Sequence, residues 1–280
     1  MPKTRMRTIR ASAATPATAA NMRLPRLMAT GFSPAASELS QNVTHGLTVA
    51  QTHYIVRVLR LKPGAQLVLT DGNGQEYLAE LLHAGRGDAQ IRILSTRSAS
   101  AESPLSIELA LAVSRGERMD FAMQKSVELG VTSISPLLTE RTVVQLDAKR
   151  TGARMQHWQQ IITSACEQSG RNHLPRLNPP EPLSRWVTNR ARVPALIFHP
   201  QAEQPLAGLP VPQQGALQLL VGPEGGFSHQ ELALAQAAGI TAVTMGPRIL
   251  RTETAAICAI CAAQTLWGDM GRCVENATQR

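Results

Sequence analysis

Aromatic residues and cysteines are scarce in this 280-residue chain, and none of its apolar runs is long. Phenylalanine, tryptophan and tyrosine make up only 3% of the residues, which argues against RNA binding by a platform of stacked bases. The apolar runs fall well short of the roughly 18 residues that a membrane-spanning helix needs. We therefore expect no membrane span, and recognition of any RNA by its backbone shape rather than by stacking.

The four cysteines do not form a disulfide or zinc pattern. Cys258 and Cys261 form a CxxC, but it lies in TAAICAICAAQTL, a stretch typical of a buried helix. Neither a second CxxC nor a histidine pair at zinc spacing accompanies it, and the other cysteines are Cys166 and Cys273. We expect reduced thiols in a cytoplasmic protein and no metal site.

Several common catalytic and nucleotide-binding motifs are also missing. No GxGxxG follows a strand, and GxxxxGK[ST], GxSxG and HExxH do not occur. These absences remove the usual signatures of dinucleotide binding, P-loop phosphate binding, α/β-hydrolase chemistry and zinc-dependent proteolysis.

Acidic residues are absent from the first 23 positions, whereas the chain as a whole is basic. Lysine and arginine total 28 against 20 aspartates and glutamates, a net charge of +8 that favours a polyanionic partner, above all a nucleic acid. We expect residues 1–23 to be a disordered basic extension or the product of a start codon upstream of Met22, with an organelle-targeting peptide as the alternative. Five of the positive charges lie in this segment: Lys3, Arg5, Arg7, Arg10 and Arg23.

Residues 24–95 contain short, β-like segments and predict a small antiparallel barrel or sandwich. The segment HYIVRVLRL, from His53 to Leu61, is one of them. A hairpin is expected around Asp71-Gly72-Asn73-Gly74, and Ala89 to Ser95 supplies another strand. The core candidates are Val56, Val58, Leu59, Leu67, Val68, Leu69, Leu78 and Ile91.

The segment 96–104 is small, polar and proline-terminated, and it predicts a linker. Beyond it, over residues 105–270, apolar strands alternate with helical patterns such as Met119, Met123 and Val127. This alternation predicts an α/β domain with five or so largely parallel strands and flanking helices. Residues 271–280 are expected to be a tail.

Two glycine-rich loops follow apolar strands near the end of this domain. The first lies in QLLVGPEGGFSHQEL, where Ser228 and Glu231 predict a capping box for the next helix, and the second lies in TAVTMGPRILRTETAAICAI. Because ligands bind beyond the carboxyl ends of parallel strands, we expect both loops to line one crevice. The glycines, which let the backbone approach a ligand closely, are Gly222, Gly225, Gly226 and Gly246.

Together the two loops are far more specific than either one alone. VGPEGGFS (Val221 to Ser228) with MGPRILRTETA (Met245 to Ala255) resembles the signature pair of the RsmE-type 16S ribosomal RNA (uracil-N3)-methyltransferases, members of the SPOUT superfamily. The resemblance extends through KSVELGVTSISPLLTERTV, ACEQSGRNHLP and HYIVRVLRLKPG, so that it covers the chain from Leu24 to about Trp267.

The resemblance implies a small PUA-like β-barrel followed by a SPOUT (α/β knot) domain whose carboxyl-terminal segment forms a trefoil knot. It also implies that the knot loops bind S-adenosyl-L-methionine and that two subunits form a homodimer through their knots. The cofactor-binding residues carried over to this sequence are Leu220, Gly222, Pro223, Glu224, Gly225, Gly226, Met245, Gly246, Ile249, Leu250, Arg251 and Thr254.

Methylation of uracil N3, the reaction implied, requires loss of the imide proton and stabilisation of the resulting anion. Arg251, at the start of the last helix, is the first candidate for a cation near O2 or O4; binding an RNA phosphate or pairing with Glu253 are its alternatives. Arg171 is a second candidate. Glu224 or Glu253 is a candidate proton acceptor, although either carboxylate could instead brace its loop.

The resemblance implies that the substrate is the 16S ribosomal RNA of the small ribosomal subunit. The scarcity of aromatic residues fits a folded substrate, such as the assembled subunit. Since N3 lies on the Watson–Crick edge, the target uridine must be unpaired or flipped outward. A SPOUT methyltransferase for another RNA position and a non-catalytic RNA-binding assembly factor are the alternative functions. The RNA-binding candidates are Arg57, Arg60, Arg141, Lys149, Arg150 and Arg154.

Overall fold

The computed structural model describes residues 24–35, 43–98, 101–143, 148–212 and 214–271. The basic extension 1–23, almost all of the expected tail and Cys273 therefore lie outside the described residues, as does the side chain of Lys149. The described chain folds around two sheets, one before and one after residues 99–100.

The first sheet has five strands in the order β1-β3-β4-β5-β2. The neighbours pair antiparallel except β1 and β3, which are parallel. Its core includes Leu67, Leu69 and Ile91, as predicted, and also Leu27 and Leu81. The strands are β1 (Arg26–Met28), β2 (Thr44–Gly46), β3 (Gln66–Thr70), β4 (Gln75–Ala84) and β5 (Ala89–Ser98).

The predicted hairpin is confirmed between β3 and β4. The Asp71 carboxylate accepts hydrogen bonds from the backbone N–H groups of Asn73 (2.8 Å) and Gln75 (3.0 Å). Gly72 and Gly74 have φ angles of 82° and 106°, a region that favours glycine. The turn therefore has the conformation that its residue types predict.

The β-like interpretation of the segment from His53 to Leu61 is wrong, because His53 to Val58 is helical and the last three residues do not form a strand. Helix α1 (Val49–His53) begins with a capping box between Thr48 and Gln51, and a π-helix (Tyr54–Val58) follows it directly. Ile55 is fully buried on the inner side, whereas Val58 is 58% exposed and is not a core residue. The β-branched residues of this segment favour a strand, but the capping box before it and the burial of Ile55 favour the helix that is observed.

The expected linker begins later than predicted. Strand β5 continues to Ser98 and includes Thr96 and Arg97, which lie in the expected linker 96–104. These residues remain paired because β4 is equally long and extends the ladder, with Arg97 opposite Glu76.

The second sheet confirms the predicted α/β architecture. All its pairs are parallel, in the order β12-β10-β11-β6-β7-β8, and β9 also pairs with β7. The five predicted strands are present, and two two-residue strands, β8 and β9, are additional. The strands are β6 (Ser106–Ala112), β7 (Ser133–Leu138), β8 (Arg176–Leu177), β9 (Glu181–Pro182), β10 (Ala195–Phe198), β11 (Ala216–Val221) and β12 (Thr241–Val243).

Helices cover both faces of this sheet. Met119, Trp158 and Ile260, from three helices, pack against one face, and Trp186 and Ala235, from two others, pack against the opposite face. The buried side chains of Met119, Met123 and Val127 confirm the predicted helical spacing. The helices are α2 (Gly116–Glu128), α3 (Ala148–Ser169), α4 (Leu183–Asn189), α5 (His229–Ala237) and α6 (Thr252–Trp267).

The described cysteines are free thiols within helices. Cys258 and Cys261 lie partly buried in α6, and burial raises the pKa of the Cys166 thiol in α3 to about 12. In the described part of the chain, histidines, cysteines and carboxylates do not cluster in threes at a metal-binding distance. Across the same residues, no helix has the length and apolarity needed to cross a membrane.

Candidate functional site

A cavity of about 290 Å³ lies beyond the carboxyl ends of three neighbouring strands, β10, β11 and β12. Its walls are the loop segments 198–200, 221–227 and 243–250, together with Arg141 and with Thr252 and Ala255 of α6. The two glycine-rich loops thus line one crevice at the same edge of the sheet, as predicted.

Nine of the twelve cofactor-binding candidates line this cavity. They are Gly222, Pro223, Glu224, Gly225, Gly226, Met245, Gly246, Ile249 and Leu250. Leu220 instead points into the core, and Thr254 is exposed on α6. Arg251 lies between two lining residues without lining the cavity itself, so the side chains of these three candidates lie outside its wall.

The cavity also has lining residues that the sequence interpretation missed. Phe198 ends β10 and is followed by His199 and Pro200, and β10 lies between β11 and β12. The signal was present in VPALIFHP, because the carboxyl end of a third parallel strand belongs to the same edge. Arg248, Thr252 and Ala255 were missed within the second loop and the start of α6.

The first glycine loop fits closely around a buried aromatic ring. A Cβ atom at Gly222 would lie 3.0 Å from Cε2 of Phe227, whose side chain is only 4% exposed. Gly226 has a φ of 68°, which favours glycine, and its N–H donates to the Pro223 carbonyl at 2.8 Å. Contact with the Phe227 ring explains why position 222 is a glycine, and the positive φ explains why position 226 is one.

Side chains from neighbouring loops hold the glycine loop in place. Arg141, which follows β7, donates from Nη1 to the Gly225 carbonyl at 2.8 Å. Glu231 of α5 accepts from the Ser228 N–H and from the Glu140 N–H, each at 2.8 Å, and so joins the loop after β11 to the loop after β7. Arg141 was a candidate for RNA binding, and the structure places it in the cavity wall.

Glu224, a candidate proton acceptor, is exposed at the cavity and has a cationic neighbour. Arg118 of α2 donates from Nη1 to its Oε1 at 3.2 Å. Arg118 follows β6, the strand next to β11, so the pair bridges two adjacent loops. Nothing in the sequence pointed to Arg118, because the pairing depends on the order of strands in the sheet.

The second glycine loop leads into the amino terminus of α6. Gly246 has a φ of 91°, and Ile249 is 87% exposed. Arg251 is the N-cap residue of α6, but its side chain does not cap the helix, so the first N–H groups add positive potential beside it. Among the described residues, Thr252 Oγ1 and Glu253 Oε2 are buried without a hydrogen-bond partner, and Glu253 does not line the cavity.

Arg171 does not lie at this site, and its prediction as a catalytic cation is wrong. Its side chain is 3% exposed and donates to the Val127 and Val131 carbonyl groups, each at 2.8 Å. It also forms a two-pronged ion pair with the Glu102 carboxylate. With its guanidinium fully engaged inside the protein, Arg171 has a structural role.

The RNA-binding candidates are spread over both parts of the molecule. Arg57 and Arg60 are exposed on and just after the π-helix of the first part, and Arg60 has a φ of 54°. Arg150 is exposed and Arg154 is half-buried near the start of α3, which also contains Lys149.

Comparisons with known proteins agree with this architecture. Residues 101–264 match the family model of an RNA methyltransferase domain, and residues 47–94 match that of an RNA methyltransferase PUA domain. The chain is 36% identical over 249 residues to ribosomal RNA small subunit methyltransferase E from Buchnera aphidicola, covering 89% of this chain and 98% of that one. The protein of the same name from Synechocystis is 37% identical, with 75% and 69% covered.

Solved structures show the same fold. A putative methyltransferase from Legionella pneumophila, in complex with the cofactor SAM, superposes with a TM-score of 0.83 at 38% identity, covering 89% of this chain and all of that one. A ribosomal RNA small subunit methyltransferase E from Neisseria gonorrhoeae, bound to S-adenosyl methionine, gives a TM-score of 0.80 at 39% identity with the same coverage.

These matches confirm the expected fold, a PUA-like domain followed by an α/β domain of the SPOUT methyltransferase type. They also confirm the resemblance drawn from the two glycine loops. The chain belongs to the ribosomal RNA small subunit methyltransferase E family.

Proposed function

We propose that this protein transfers a methyl group from S-adenosylmethionine to N3 of one uridine in the 16S ribosomal RNA of the assembled small subunit. The observation that carries the proposal is the convergence of both glycine loops on one cavity at the carboxyl edge of the sheet. A relative named ribosomal RNA small subunit methyltransferase E supports it. Two similar solved structures, one of a putative methyltransferase in complex with SAM and one of a ribosomal RNA small subunit methyltransferase E bound to S-adenosyl methionine, support the choice of cofactor.

The residues of the cavity fit this cofactor. Gly222, Gly225 and Gly246 expose backbone groups to the cavity, and such groups can bind the edge of an adenine ring. Met245 and Leu250 add apolar surface for the faces of the ring. We propose that these residues, with Pro223, Glu224, Gly226 and Ile249, form the S-adenosylmethionine site.

The chemistry divides between the cofactor and the chain. S-adenosylmethionine, when bound, supplies a methyl group activated by a positively charged sulfur. The protein must hold the uracil in line and stabilise the negative charge that develops on its oxygens as the N3 proton leaves. We assign that stabilisation to Arg251, which is the N-cap residue of α6 and lies in the chain between the lining residues Leu250 and Thr252, at the positive end of the helix.

Two carboxylates remain candidates for accepting the N3 proton. Glu224 lines the cavity and is exposed there, whereas Glu253 does not line it. We therefore place Glu224 first, with Arg118 fixing the position of its carboxylate. Arg118 thereby contributes to the geometry of the site without touching the reacting atoms.

The larger assembly follows from the same proposal. We propose a homodimer whose interface includes Leu266, which is exposed near the end of α6. We also propose that the carboxyl-terminal segment is threaded as a trefoil knot. We place the RNA-binding domain from residue 24 to the end of β5 at Ser98 and the methyltransferase domain over residues 105–270. Arg57, Arg60 and the basic start of α3 face the ribosomal RNA of a cytoplasmic subunit.

Methyl transfer to purified small subunits tests the proposed reaction. Subunits from cells that lack this methylation are incubated with the protein and methyl-labelled S-adenosylmethionine, and the RNA is digested to nucleosides for mass spectrometry. We expect the label in 3-methyluridine, at one site per subunit. Label in another nucleoside would indicate a SPOUT methyltransferase for a different position, and no label would indicate a non-catalytic assembly factor.

A further inference from the structure

The segment 166–174, which contains the mispredicted Arg171, forms the joint between the two domains. Glu167 of α3 accepts hydrogen bonds from the Met28 N–H at 2.8 Å and from the Tyr54 hydroxyl at 2.9 Å, both in the PUA-like domain. Asn172 and Gly74 exchange two hydrogen bonds, at 3.0 and 3.1 Å. Each of these hydrogen bonds joins one short segment of the methyltransferase domain to β1, the π-helix or the β3–β4 turn.

The same segment also holds the chain that connects the domains. Arg171 pairs with Glu102, which lies just before β6, and its other donors bind carbonyl groups at the end of α2 and in the loop after it. The segment 166–174 thus contacts both the linker and the PUA-like domain. This arrangement explains why Arg171 is buried although it is charged.

Glu167 is a partly buried carboxylate, and removing a charged group even partly from water has a cost that hydrogen bonds must offset. Burial raises its pKa, while the hydrogen bonds from Met28 and Tyr54 and the charge of Arg26 lower it. Burial, the hydrogen bond to Glu167 and the charge of Glu167 together raise the pKa of Tyr54 to about 12. A directional contact of this kind fixes orientation, which an apolar contact would not.

Tyr54 is the first residue of the π-helix, and this helix leads to the exposed cations of the PUA-like domain. Arg57 lies in the π-helix and Arg60 follows it in the left-handed conformation. The sequence from Val43 to Thr70 contains no aspartate or glutamate. A π-helix and a non-glycine residue with positive φ are both features that cluster at functional positions.

We propose that Glu167 is a positioning residue for RNA recognition, which acts through Tyr54. By holding the start of the π-helix against α3, it sets the orientation of Arg57 and Arg60 relative to the methyltransferase domain. This inference rests on the proposed methylation of ribosomal RNA and assigns a role in it to a residue that does not line the cavity. Glu167 touches neither the cavity nor the exposed cations.

Kinetics with small subunits tests this role through the variants Glu167→Ala, Glu167→Gln and Tyr54→Phe. For Glu167→Ala we expect KM for the subunit to rise about tenfold, the effect of losing roughly one net hydrogen bond. We expect kcat and the Kd for S-adenosylmethionine to stay within about twofold of wild type. Glu167→Gln should recover most of the loss, because an amide can accept from Met28 and donate to the Tyr54 oxygen.

The matched control is Glu128→Ala, which removes a half-buried carboxylate whose Lys125 partner lies in the same helix. It should leave KM unchanged. Should Glu167→Ala fail to fold, Tyr54→Phe tests the same contact by removing one hydroxyl group. An unchanged KM in every foldable variant, with an active wild type, would overturn the inference.

Small-angle X-ray scattering supplies a second readout that needs no activity. We expect Glu167→Ala to lengthen the maximum dimension of the protein and Glu128→Ala to leave it unchanged. An inactive wild type with this scattering result would count against the proposed methylation alone. Identical scattering for wild type and Glu167→Ala would count against the joint.

Discussion

Arg251 is the residue on which the proposed charge stabilisation depends. Its side chain lies at the amino terminus of α6 but does not line the cavity. We therefore expect Arg251→Ala to lower kcat roughly 100-fold, the usual effect of removing one group that stabilises a developing anion. The Kd for S-adenosylmethionine should change less than about twofold. Steady-state kinetics and calorimetric titration measure the two quantities.

The control for Arg251 is Arg185→Ala, an exposed arginine of α4 that does not line the cavity. It should leave kcat unchanged. Wild-type turnover in Arg251→Ala would remove this residue from the mechanism, and a parallel loss of cofactor affinity would make it a binding residue instead.

Gly222 is required for steric reasons, whereas Gly226 is required for its backbone conformation. A methyl group at Gly222 would press on the buried ring of Phe227, and Gly222→Ala should cost about 1–3 kcal/mol of unfolding free energy. Gly226→Ala should cost about 1–2 kcal/mol, because its φ is 68° with open space around it. Denaturant unfolding measures both costs.

The double variants separate the two causes. Adding Phe227→Leu should offset part of the cost of Gly222→Ala, since it removes the ring that the new methyl group meets. It should not offset the cost of Gly226→Ala. Equal effects of Phe227→Leu in both backgrounds would show that the ring does not explain Gly222.

At the residue scale, the roles of the loop glycines could be predicted from the sequence, whereas the roles of the arginines could not. A glycine between a buried strand and a helix carries its reason in the sequence, because the strand end and the backbone freedom are both local. The role of an arginine depends on what its long side chain meets in the fold. Arg141 meets the Gly225 carbonyl and Arg171 meets Glu102, and both partners are distant in sequence.

At the scale of elements, two capping boxes allow a matched test of how the first glycine loop is held. Ser228 caps α5 directly after the loop, and Thr48 caps α1 in the PUA-like domain. Ser228→Ala and Thr48→Ala should each cost about 1 kcal/mol of stability. Only Ser228→Ala should also weaken S-adenosylmethionine binding, because Glu231 joins this cap to the loops around the cavity.

Thermal unfolding and calorimetric titration of the two variants provide the measurement. Equal cofactor affinity in Ser228→Ala and Thr48→Ala would show that the cap stabilises α5 without shaping the site.

The helices and strands were predictable where the burial of apolar residues alone determines the conformation. The five longer parallel strands and α2 follow from hydrophobic patterning alone, since each is buried by its own apolar residues. The helical conformation of the segment from His53 to Val58 was missed, because its β-branched residues favour a strand and its capping box lies just before it. The two-residue strands β8 and β9 are too short to produce a pattern.

At the scale of the whole molecule, the face near the end of α6 should form the subunit interface. Leu266 is 44% exposed on a helix that is otherwise strongly apolar. Leu266→Lys should weaken the dimer by on the order of 100-fold or more, since a two-fold interface loses the same leucine twice at about 1.5–3 kcal/mol each. Sedimentation equilibrium measures the dimer Kd.

Leu94→Lys is the control, because Leu94 is similarly exposed but lies on β5 of the PUA-like domain. It should leave the dimer intact. A monomeric wild-type protein, or equal effects of the two substitutions, would contradict this assignment of the interface.

The central claim is that the crevice between the two glycine loops holds the methyl donor, and calorimetric titration with S-adenosylmethionine tests it most directly. Ala255 lines the cavity from α6, so Ala255→Leu fills space that the cofactor needs, whereas Ala233→Leu adds the same atoms on the exposed side of α5. We predict one bound molecule per chain for wild type and Ala233→Leu, and an affinity at least about tenfold weaker for Ala255→Leu. No binding by the wild type, or unchanged binding by a folded Ala255→Leu, would contradict the claim.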